Sequence, residues 1–245
     1  MSKGTVLILG GRSNIGIAIA HRFALNGYSI QLAARNSRTL KAEKSDIELR
    51  HNVTVTLHEF DALDVISHEA FIANLSLLPD IAICTVGLLG GQSENGYEPI
   101  SAVKVMRTNY EGPANILGIL ANNFEKRGTG VLVGVSSISG DRGRASNFVY
   151  GSAKAGFSVF LSGLRNRLAK KGIHVVTILP GFVYTRMTDG MKLPPKLTSQ
   201  TEEVAKAIEK AIQKKQNIVY VKTVWMFIMI IIKNIPERIF KFMKL

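Results

Sequence analysis

Residues 5–16 read TVLILGGRSNIG, a short apolar run that leads into a glycine turn, and a helical pattern follows over residues 17–23. A strand, a glycine turn and a helix start bring backbone N–H groups and the positive end of a helix dipole to a place where a diphosphate can bind. Gly10 permits the tight turn, and Gly16 allows the helix to pack closely on the sheet. The alternative is a turn that binds nothing, because glycines also occur in ordinary turns.

The apolar run at residues 5–9 is the first of seven along the chain, and helical patterns separate them. The other six lie at residues 29–33, 53–57, 81–85, 131–135, 174–178 and 218–221. Their apolarity is continuous rather than alternating, as a strand covered on both faces requires. The pattern predicts an α/β, doubly wound Rossmann fold, with a seven-stranded parallel sheet and helices on both faces, formed by a single domain over residues 1–245.

The composition is that of a folded protein from a reducing compartment. Of the 245 residues, 46% are hydrophobic and 20% are charged, which argues against a disordered chain. The single cysteine, Cys84, lies in an apolar run and rules out an intramolecular disulfide. The apolar run near the N-terminus is too short for a signal peptide, so a cytoplasmic location is expected.

The formal charge of +13 suits nucleic acid, an anionic membrane surface or a lysine-rich exterior. From Lys206 to the C-terminus there are nine lysines and arginines but two glutamates, in the segment that also holds the most apolar run. Basic residues beside apolar ones, with few aromatic rings for stacking, indicate lipid and no nucleic-acid partner.

The C-terminal segment, residues 223–245, therefore receives a prediction of its own. Its nine uninterrupted apolar residues, 224–232, are fewer than the roughly twenty that span a bilayer. Apolar residues interleaved with Arg238, Lys241 and Lys244 follow this run. The segment is predicted to lie in the headgroup region, peripheral on the inner face of a membrane. A subunit interface and a roof over a substrate pocket are the alternatives.

Tyr150 and Lys154 lie four residues apart in a helical window, so they share one face of the helix. An adjacent ammonium favours the phenolate and is expected to lower the tyrosine pKa from about 10 toward neutrality. A tyrosine of that kind can act as general acid and base on a carbonyl group. An ordinary surface pair is the alternative.

Two further polar residues precede this pair. Ser137 follows the run at residues 131–135, so it is expected at the carboxyl end of a strand, where its hydroxyl can bond a substrate oxygen. Asn109 lies in a helical stretch between the fourth and fifth runs, where its amide could hold a water linked to the lysine. A solvent-exposed asparagine is the other interpretation of Asn109.

The residues after the second and third runs indicate a cofactor. No acidic residue stands at residues 33–36, where the ribose of NADH would find an acceptor. Arg35 offers a cation for the 2′-phosphate of NADPH, with Arg12 and Arg38 as helpers, so NADPH is predicted and NADH is the alternative. Surface arginines unrelated to a ligand would look the same. Asp61 is placed to accept from the adenine amino group or to cap a helix.

Over essentially its whole length the chain resembles the short-chain dehydrogenase/reductase family. The resemblance implies a catalytic tetrad of Asn109, Ser137, Tyr150 and Lys154, an NAD(P)-dependent oxidoreductase acting on CH–OH and C=O groups, no metal, and a homo-oligomer. It also implies that residues 180–185 contact the nicotinamide, with Thr185 on the carboxamide. The predicted cofactor-binding residues are Gly10, Arg12, Ser13, Asn14, Ile15, Gly16, Arg35, Asp61, Ala62, Gly87, Tyr150, Lys154, Pro180, Gly181, Val183 and Thr185.

The chain departs from the family pattern at two places. Asn14 stands where the family usually has a middle glycine in the first turn. The family's Asn-Asn-Ala-Gly segment after the fourth strand is here CTVG at residues 84–87, so the hydrogen bonds of its asparagines to the framework are expected to be lost.

Several short stretches are similar to family members that reduce a lipid-linked sugar. They lie at residues 60–64, 87–90, 146–152, 185–187 and 235–240. The similarity implies reduction of the 2-keto group of a polyprenyl-phosphate-linked pentose, the second half of an epimerisation that a flavin-dependent oxidase partner begins. The alternatives are a reductase or dehydrogenase of another apolar ketone or alcohol and, from another class, a non-catalytic dinucleotide-binding sensor or scaffold.

The loop at residues 185–198 interrupts the alternation of strands and helices and is a candidate lid over the substrate. An ordinary solvated connection is the alternative. Its apolar side chains could line a channel for a lipid chain: Met187, Met191 and Leu193. Three arginines are candidates for a substrate phosphate, with solvated surface charge as the competing explanation: Arg142, Arg144 and Arg186.

Overall fold

The computed structural model describes residues 2–90 and 97–243. The strands are β1 (Thr5–Leu9), β2 (Ser29–Ala34), β3 (Val55–Glu59), β4 (Ile81–Cys84), β5 (Gly130–Val135), β6 (Ile173–Pro180), β7 (Phe182–Val183), β8 (Thr198–Ser199) and β9 (Ile218–Val221). The α-helices are α1 (Asn14–Leu25), α2 (Lys41–His51), α3 (His68–Ala73), α4 (Pro99–Met106), α5 (Gly112–Arg127), α6 (Phe148–Leu168), α7 (Thr201–Gln213), α8 (Val224–Asn234) and α9 (Glu237–Phe240).

Seven of these strands form one parallel sheet in the order β3-β2-β1-β4-β5-β6-β9. The chain builds outward from β1 to β3 and then returns to place β4 on the other side of β1. Ligands of such sheets bind where the strand order reverses, at the carboxyl ends of the strands. The predicted doubly wound fold is confirmed, and its cleft is expected beside β1 and β4.

Alternate residues of the central strands supply two hydrophobic cores, one on each face of the sheet. Ile8 packs into the core that α1, α2 and α7 cover, whereas Leu7 packs into the core that α3, α5 and α6 cover. This is why the strands are apolar at consecutive positions. The rigid sheet then holds the loops at its carboxyl edge in place.

Several strand boundaries differ from those expected, and two short strands were not predicted. β3 begins at Val55 rather than residue 53, because α2 ends in a left-handed Asn52 with φ 53° and the next residues make the turn into the sheet. β6 continues to Pro180, two residues beyond the apolar run. The pair β7–β8, in which Phe182 aligns with Thr198, was not predicted because each strand is two residues long.

The C-terminal segment packs against the rest of the molecule through α8. Trp225 and Met229 are buried with Ile138 and Leu179 in a third, smaller core. Among residues 2–90 and 97–243 no helix is long and apolar enough to cross a membrane. Lys244, part of the predicted basic end, lies outside the described residues.

Candidate active site

Two adjoining cavities of about 410 Å³ and 620 Å³ open at the carboxyl edge of the sheet. Four residues line both cavities, which together make one cleft: Ser13, Thr85, Gly87 and Arg186. Predicted residues in the smaller cavity are Gly10, Arg12, Arg35, Asp61 and Ala62. Those in the larger cavity are Asn14, Ile15, Ser137, Tyr150, Lys154, Pro180, Gly181, Val183 and Thr185.

The glycine turn has the close contacts that exclude larger side chains. Gly10 has φ +91°, and a Cβ there would lie 2.7 Å from Thr85 Oγ1. A Cβ on Gly16 would lie 2.7 Å from the Gly10 carbonyl oxygen. Ser13 caps α1, because its Oγ accepts a hydrogen bond from the Gly16 N–H at 2.9 Å. The turn is thus built for close approach of the backbone to a ligand.

Thr85 makes hydrogen bonds to the framework at one of the places where the family pattern has changed. Its hydroxyl lies 3.1 Å from the carbonyl oxygens of Leu9 and Gly10, and 3.0 Å from Ser13 Oγ. The asparagines of the family pattern are absent here, and the Thr85 hydroxyl makes hydrogen bonds to the framework in their place. The sequence analysis missed Thr85, whose only signal is its position directly after a buried strand.

Lys154 and Tyr150 lie on one face of α6 and line the larger cavity together. Lys154 is buried, its Nζ donates to the Val135 carbonyl oxygen at 3.1 Å, and burial lowers its pKa from 10.5 to about 8. Nζ lies 5.8 Å from the centre of the Tyr150 ring. An ammonium with this pKa is still charged at neutral pH.

The expected lowering of the Tyr150 pKa by Lys154 is wrong. Burial raises the pKa of Tyr150 from 10.0 to about 12, and the hydrogen bond with Ser137 opposes this rise. Desolvation of the phenolate is the largest effect on this pKa. Tyr150 is therefore a protonated acid at neutral pH.

Ser137 lies where its sequence position indicates, two residues beyond the end of β5. Its Oγ accepts from the Ser139 N–H at 3.1 Å and is hydrogen-bonded to Tyr150. The strand and the turn that follows fix the hydroxyl on the cleft wall next to the phenol. A substrate oxygen could reach both hydroxyl groups at once.

Asn109 is fully buried in a π-helical segment, Arg107–Glu111, between α4 and α5. Its Nδ2 donates to the carbonyl oxygens of Leu88 at 2.6 Å and Val105 at 2.9 Å, and its Oδ1 accepts from the Leu88 N–H at 3.2 Å. The solvent-exposed alternative is thus wrong. The amide positions the loop after β4: a Cβ on Gly87 would lie 3.1 Å from Asn109 Oδ1 and 3.5 Å from Lys154 Nζ.

The residues at the far end of the cleft fit the adenosine half of a dinucleotide. Arg12 and Arg35 both line this end, and Arg12 Nη1 donates to the Arg35 carbonyl oxygen at 3.2 Å. Arg38 is exposed and is not among the residues that line the cleft. Asp61 Oδ1 accepts from the Leu63 N–H at 3.0 Å, within a turn rather than at a helix start, so the capping alternative is wrong.

Residues 4–195 match the family model described as short chain dehydrogenase. The chain belongs to the short-chain dehydrogenase family. It is 36% identical to an uncharacterized oxidoreductase of Mycobacterium tuberculosis strain H37Rv over 88% of this chain and 87% of the relative. It is 32% identical to an uncharacterized oxidoreductase of Streptomyces coelicolor over 97% of this chain and 94% of that protein.

Solved structures show the same fold. Levodione reductase matches with a TM-score of 0.83 at 22% identity, covering 92% of this chain and 99% of that one. A short-chain dehydrogenase from Sphingobium yanoikuyae in complex with NADPH matches with a TM-score of 0.81 at 22% identity, covering 95% and 96%. The prediction of an NAD(P)-dependent oxidoreductase of this family is confirmed.

In this short-chain dehydrogenase the loop at residues 185–198 is connected to the glycine turn. Asn14 Oδ1 accepts from the Arg186 N–H at 3.1 Å, and Arg186 Nη2 donates to the Arg12 carbonyl oxygen at 2.6 Å. Asn14 thus has a structural use at the place where the family has glycine. Met187 and Met191 line the larger cavity, whereas Leu193 is not among its lining residues.

Arg142 and Arg144, two of the arginines proposed for a substrate phosphate, do not line the cleft. Arg142 forms an ion pair with Glu237, donates to the Lys233 carbonyl oxygen at 3.2 Å and stacks on Phe240 at 4.2 Å. Arg142 is therefore a structural residue of the C-terminal segment, and the phosphate prediction is wrong for it. Arg144 is half-buried beside Ser139, does not line the cleft, and has a lowered pKa because of burial.

Trp225 is a positioning residue that the sequence analysis missed. Its Nε1 donates to the Leu197 carbonyl oxygen at 3.0 Å, and a Cβ on Gly181 would lie 2.1 Å from Nε1. The indole thus supports both the segment after β6 and the end of the 185–198 loop. The available signal was the single tryptophan of the chain within a run of aliphatic residues.

Proposed function

We propose that this enzyme uses NADPH to reduce a ketone, and that the ketone is the 2-keto group of a pentose linked to polyprenyl phosphate. The observation that carries the proposal is the group formed by Ser137, Tyr150 and Lys154 on the wall of a cleft with room for a dinucleotide. A protonated phenol beside a hydroxyl is the arrangement that carbonyl reduction needs.

Residues of the chain itself transfer a proton to the carbonyl oxygen. A bound nicotinamide supplies the hydride that reduces the carbonyl carbon. Tyr150, with a pKa of about 12, donates its proton to the carbonyl oxygen, while the Ser137 hydroxyl bonds the same oxygen and orients it. The phenolate left behind is stabilised by the charge of Lys154, whose pKa of about 8 keeps it protonated at neutral pH.

Two arginines support the choice of NADPH over NADH. Arg12 and Arg35 line the adenosine end of the cleft, and β2 ends without an acidic residue for a ribose hydroxyl. The short-chain dehydrogenase from Sphingobium yanoikuyae was solved with NADPH, in agreement with this assignment. Steady-state kinetics with each dinucleotide tests it: a higher kcat/KM for NADH would contradict the proposal.

The lipid-linked sugar is supported by the apolar side of the cleft and by sequence resemblance. Leu89, Met187 and Met191 give the larger cavity part of an apolar lining. The short stretches described above resemble decaprenylphosphoryl-2-keto-pentose reductase, so a flavin-dependent oxidase is the proposed supplier of the ketone. The proposal places a homo-oligomeric enzyme on the cytoplasmic side of a membrane that holds the substrate.

The deciding assay follows NADPH oxidation with a polyprenyl-phosphoryl 2-keto-pentose in detergent. Matched reactions contain a plain apolar ketone of similar chain length. Preference for the lipid-linked sugar supports the proposal, whereas equal or faster reduction of the plain ketone favours the general reductase, which the flexible methionines also suit. A sensor or scaffold would turn over neither compound.

A further inference from the structure

α8 presents two different faces. Trp225 and Met229 point inward and are buried in the third core. Phe227 and Ile231, one helical turn apart, are 58% and 67% exposed, and Val224 and Ile230 beside them are exposed too. Four large apolar side chains thus share one solvent-facing surface. A contiguous apolar patch on the surface of a folded protein marks an interaction site.

Two more exposed apolar residues follow α8 in the sequence: Ile239 within α9 and Phe242 just after it. These six exposed apolar residues are called the outer face: Val224, Phe227, Ile230, Ile231, Ile239 and Phe242. Its basic neighbours are exposed and have no acidic partner among the described ion pairs: Lys233, Arg238 and Lys241. The acid in this stretch, Glu237, is paired with Arg142, so the surface carries a net positive charge.

The inner side of the same helices is fixed to the catalytic wall. The Arg142–Glu237 ion pair joins α9 to the loop that follows Ser137. Trp225 joins α8 to the 185–198 loop through the Leu197 carbonyl oxygen. One contact reaches the segment after Ser137 and the other reaches the 185–198 loop, and both segments contribute residues to the larger cavity. Packing therefore sets the orientation of the outer face relative to the cleft.

We propose that the outer face docks on an anionic lipid bilayer, with the apolar side chains among the headgroups and the basic ones against lipid phosphates. The inference rests on the proposed function in one respect: a polyprenyl-linked substrate must be reached from a membrane surface. Apolar residues rimmed by lysine and arginine are the chemistry that anionic interfaces bind. The C-terminal segment is therefore a membrane-binding segment that holds the cleft at the level of the lipid headgroups.

The test is co-sedimentation of the full chain with vesicles, without cofactor or substrate. Vesicles of phosphatidylcholine with phosphatidylglycerol should bind the protein, and vesicles of phosphatidylcholine alone should bind it far less. The double variant Phe227→Ser, Ile231→Ser should bind about tenfold or more weakly, because each substitution removes a large apolar side chain from the lipid contact. Raised salt should weaken binding by the native chain.

The matched control is the double variant Leu49→Ser, Ile66→Ser, whose side chains are also exposed but lie at the β3 side of the sheet. It should bind vesicles like the native protein. Circular dichroism checks that both variants are folded. Equal binding by the two double variants, or no binding by the native chain, would overturn the proposal.

Light scattering during gel filtration tests the alternative, in which a second copy of this chain binds the outer face. If Phe227→Ser, Ile231→Ser converts a dimer to a monomer while vesicles bind nothing, the outer face is a subunit interface and the proposal fails. Activity is measured separately in detergent. Vesicle binding without reduction of the lipid-linked ketone would refute the proposed function but would still support membrane binding by the outer face.

Discussion

Replacing Lys154 by methionine should make the protein inactive and, at neutral pH, more stable. Burial of the ammonium lowers its pKa from 10.5 to about 8. One pH unit corresponds to about 1.4 kcal/mol, so burying the charge costs about 3 kcal/mol of stability. The substitution also removes the donor that lies 3.1 Å from the Val135 carbonyl oxygen, which costs about 1–2 kcal/mol.

These two effects predict a crossover with pH. Below pH 8 Lys154 is charged when folded, so Lys154→Met is expected to be about 1–2 kcal/mol more stable than the native chain. Between pH 8 and 10.5 the folded state loses the proton while the unfolded state keeps it, so the native protein gains stability. Above pH 10.5 Lys154 is uncharged in both the folded and the unfolded state, so burying it no longer costs a charge. The variant then differs only by the missing hydrogen bond and should be less stable than the native chain.

Urea unfolding followed by the fluorescence of Trp225, which is buried and the single tryptophan, measures this difference. Other titrating groups are common to both proteins and cancel in the comparison, except the buried Cys84, whose thiol interacts with Lys154 and has a pKa raised by burial to about 11. Lys206→Met, the same substitution at an exposed lysine, is the control. A constant stability difference from pH 7 to 11 would refute the argument, since it would mean that the folded protein does not perturb Lys154.

Three further predictions concern the cleft. Tyr150→Phe should lower turnover by at least about a hundredfold while NADPH binding, followed by fluorescence titration, stays nearly intact; unchanged turnover would remove Tyr150 from the mechanism. Arg35→Ala should lower kcat/KM with NADPH by about tenfold and leave the value with NADH nearly unchanged, and an equal loss with both would contradict a contact to the 2′-phosphate. Gly181→Ala should destabilise the protein by about 1–3 kcal/mol and shift the emission of Trp225, because the added Cβ would lie 2.1 Å from the indole; native emission and stability would show that the indole moves aside freely.

Local patterns in the sequence were sufficient for the architecture. Seven apolar runs predicted seven parallel strands, because a strand covered on both faces needs apolar side chains at consecutive positions. The glycine turn could also be predicted from the sequence, because a φ of +91° at Gly10 and the close approach of backbone atoms at Gly16 exclude larger residues. The shared face of Tyr150 and Lys154 follows from helical spacing alone.

Tertiary structure alone decided the electrostatics and the long-range contacts. The Tyr150 pKa rises instead of falling because burial depends on the whole fold, not on the residue one turn away. Asn14 meets Arg186 across 172 residues of sequence, and Arg142 meets Glu237 across 95. Such pairs leave no periodic signal in the chain, because the sheet, not local geometry, brings them together.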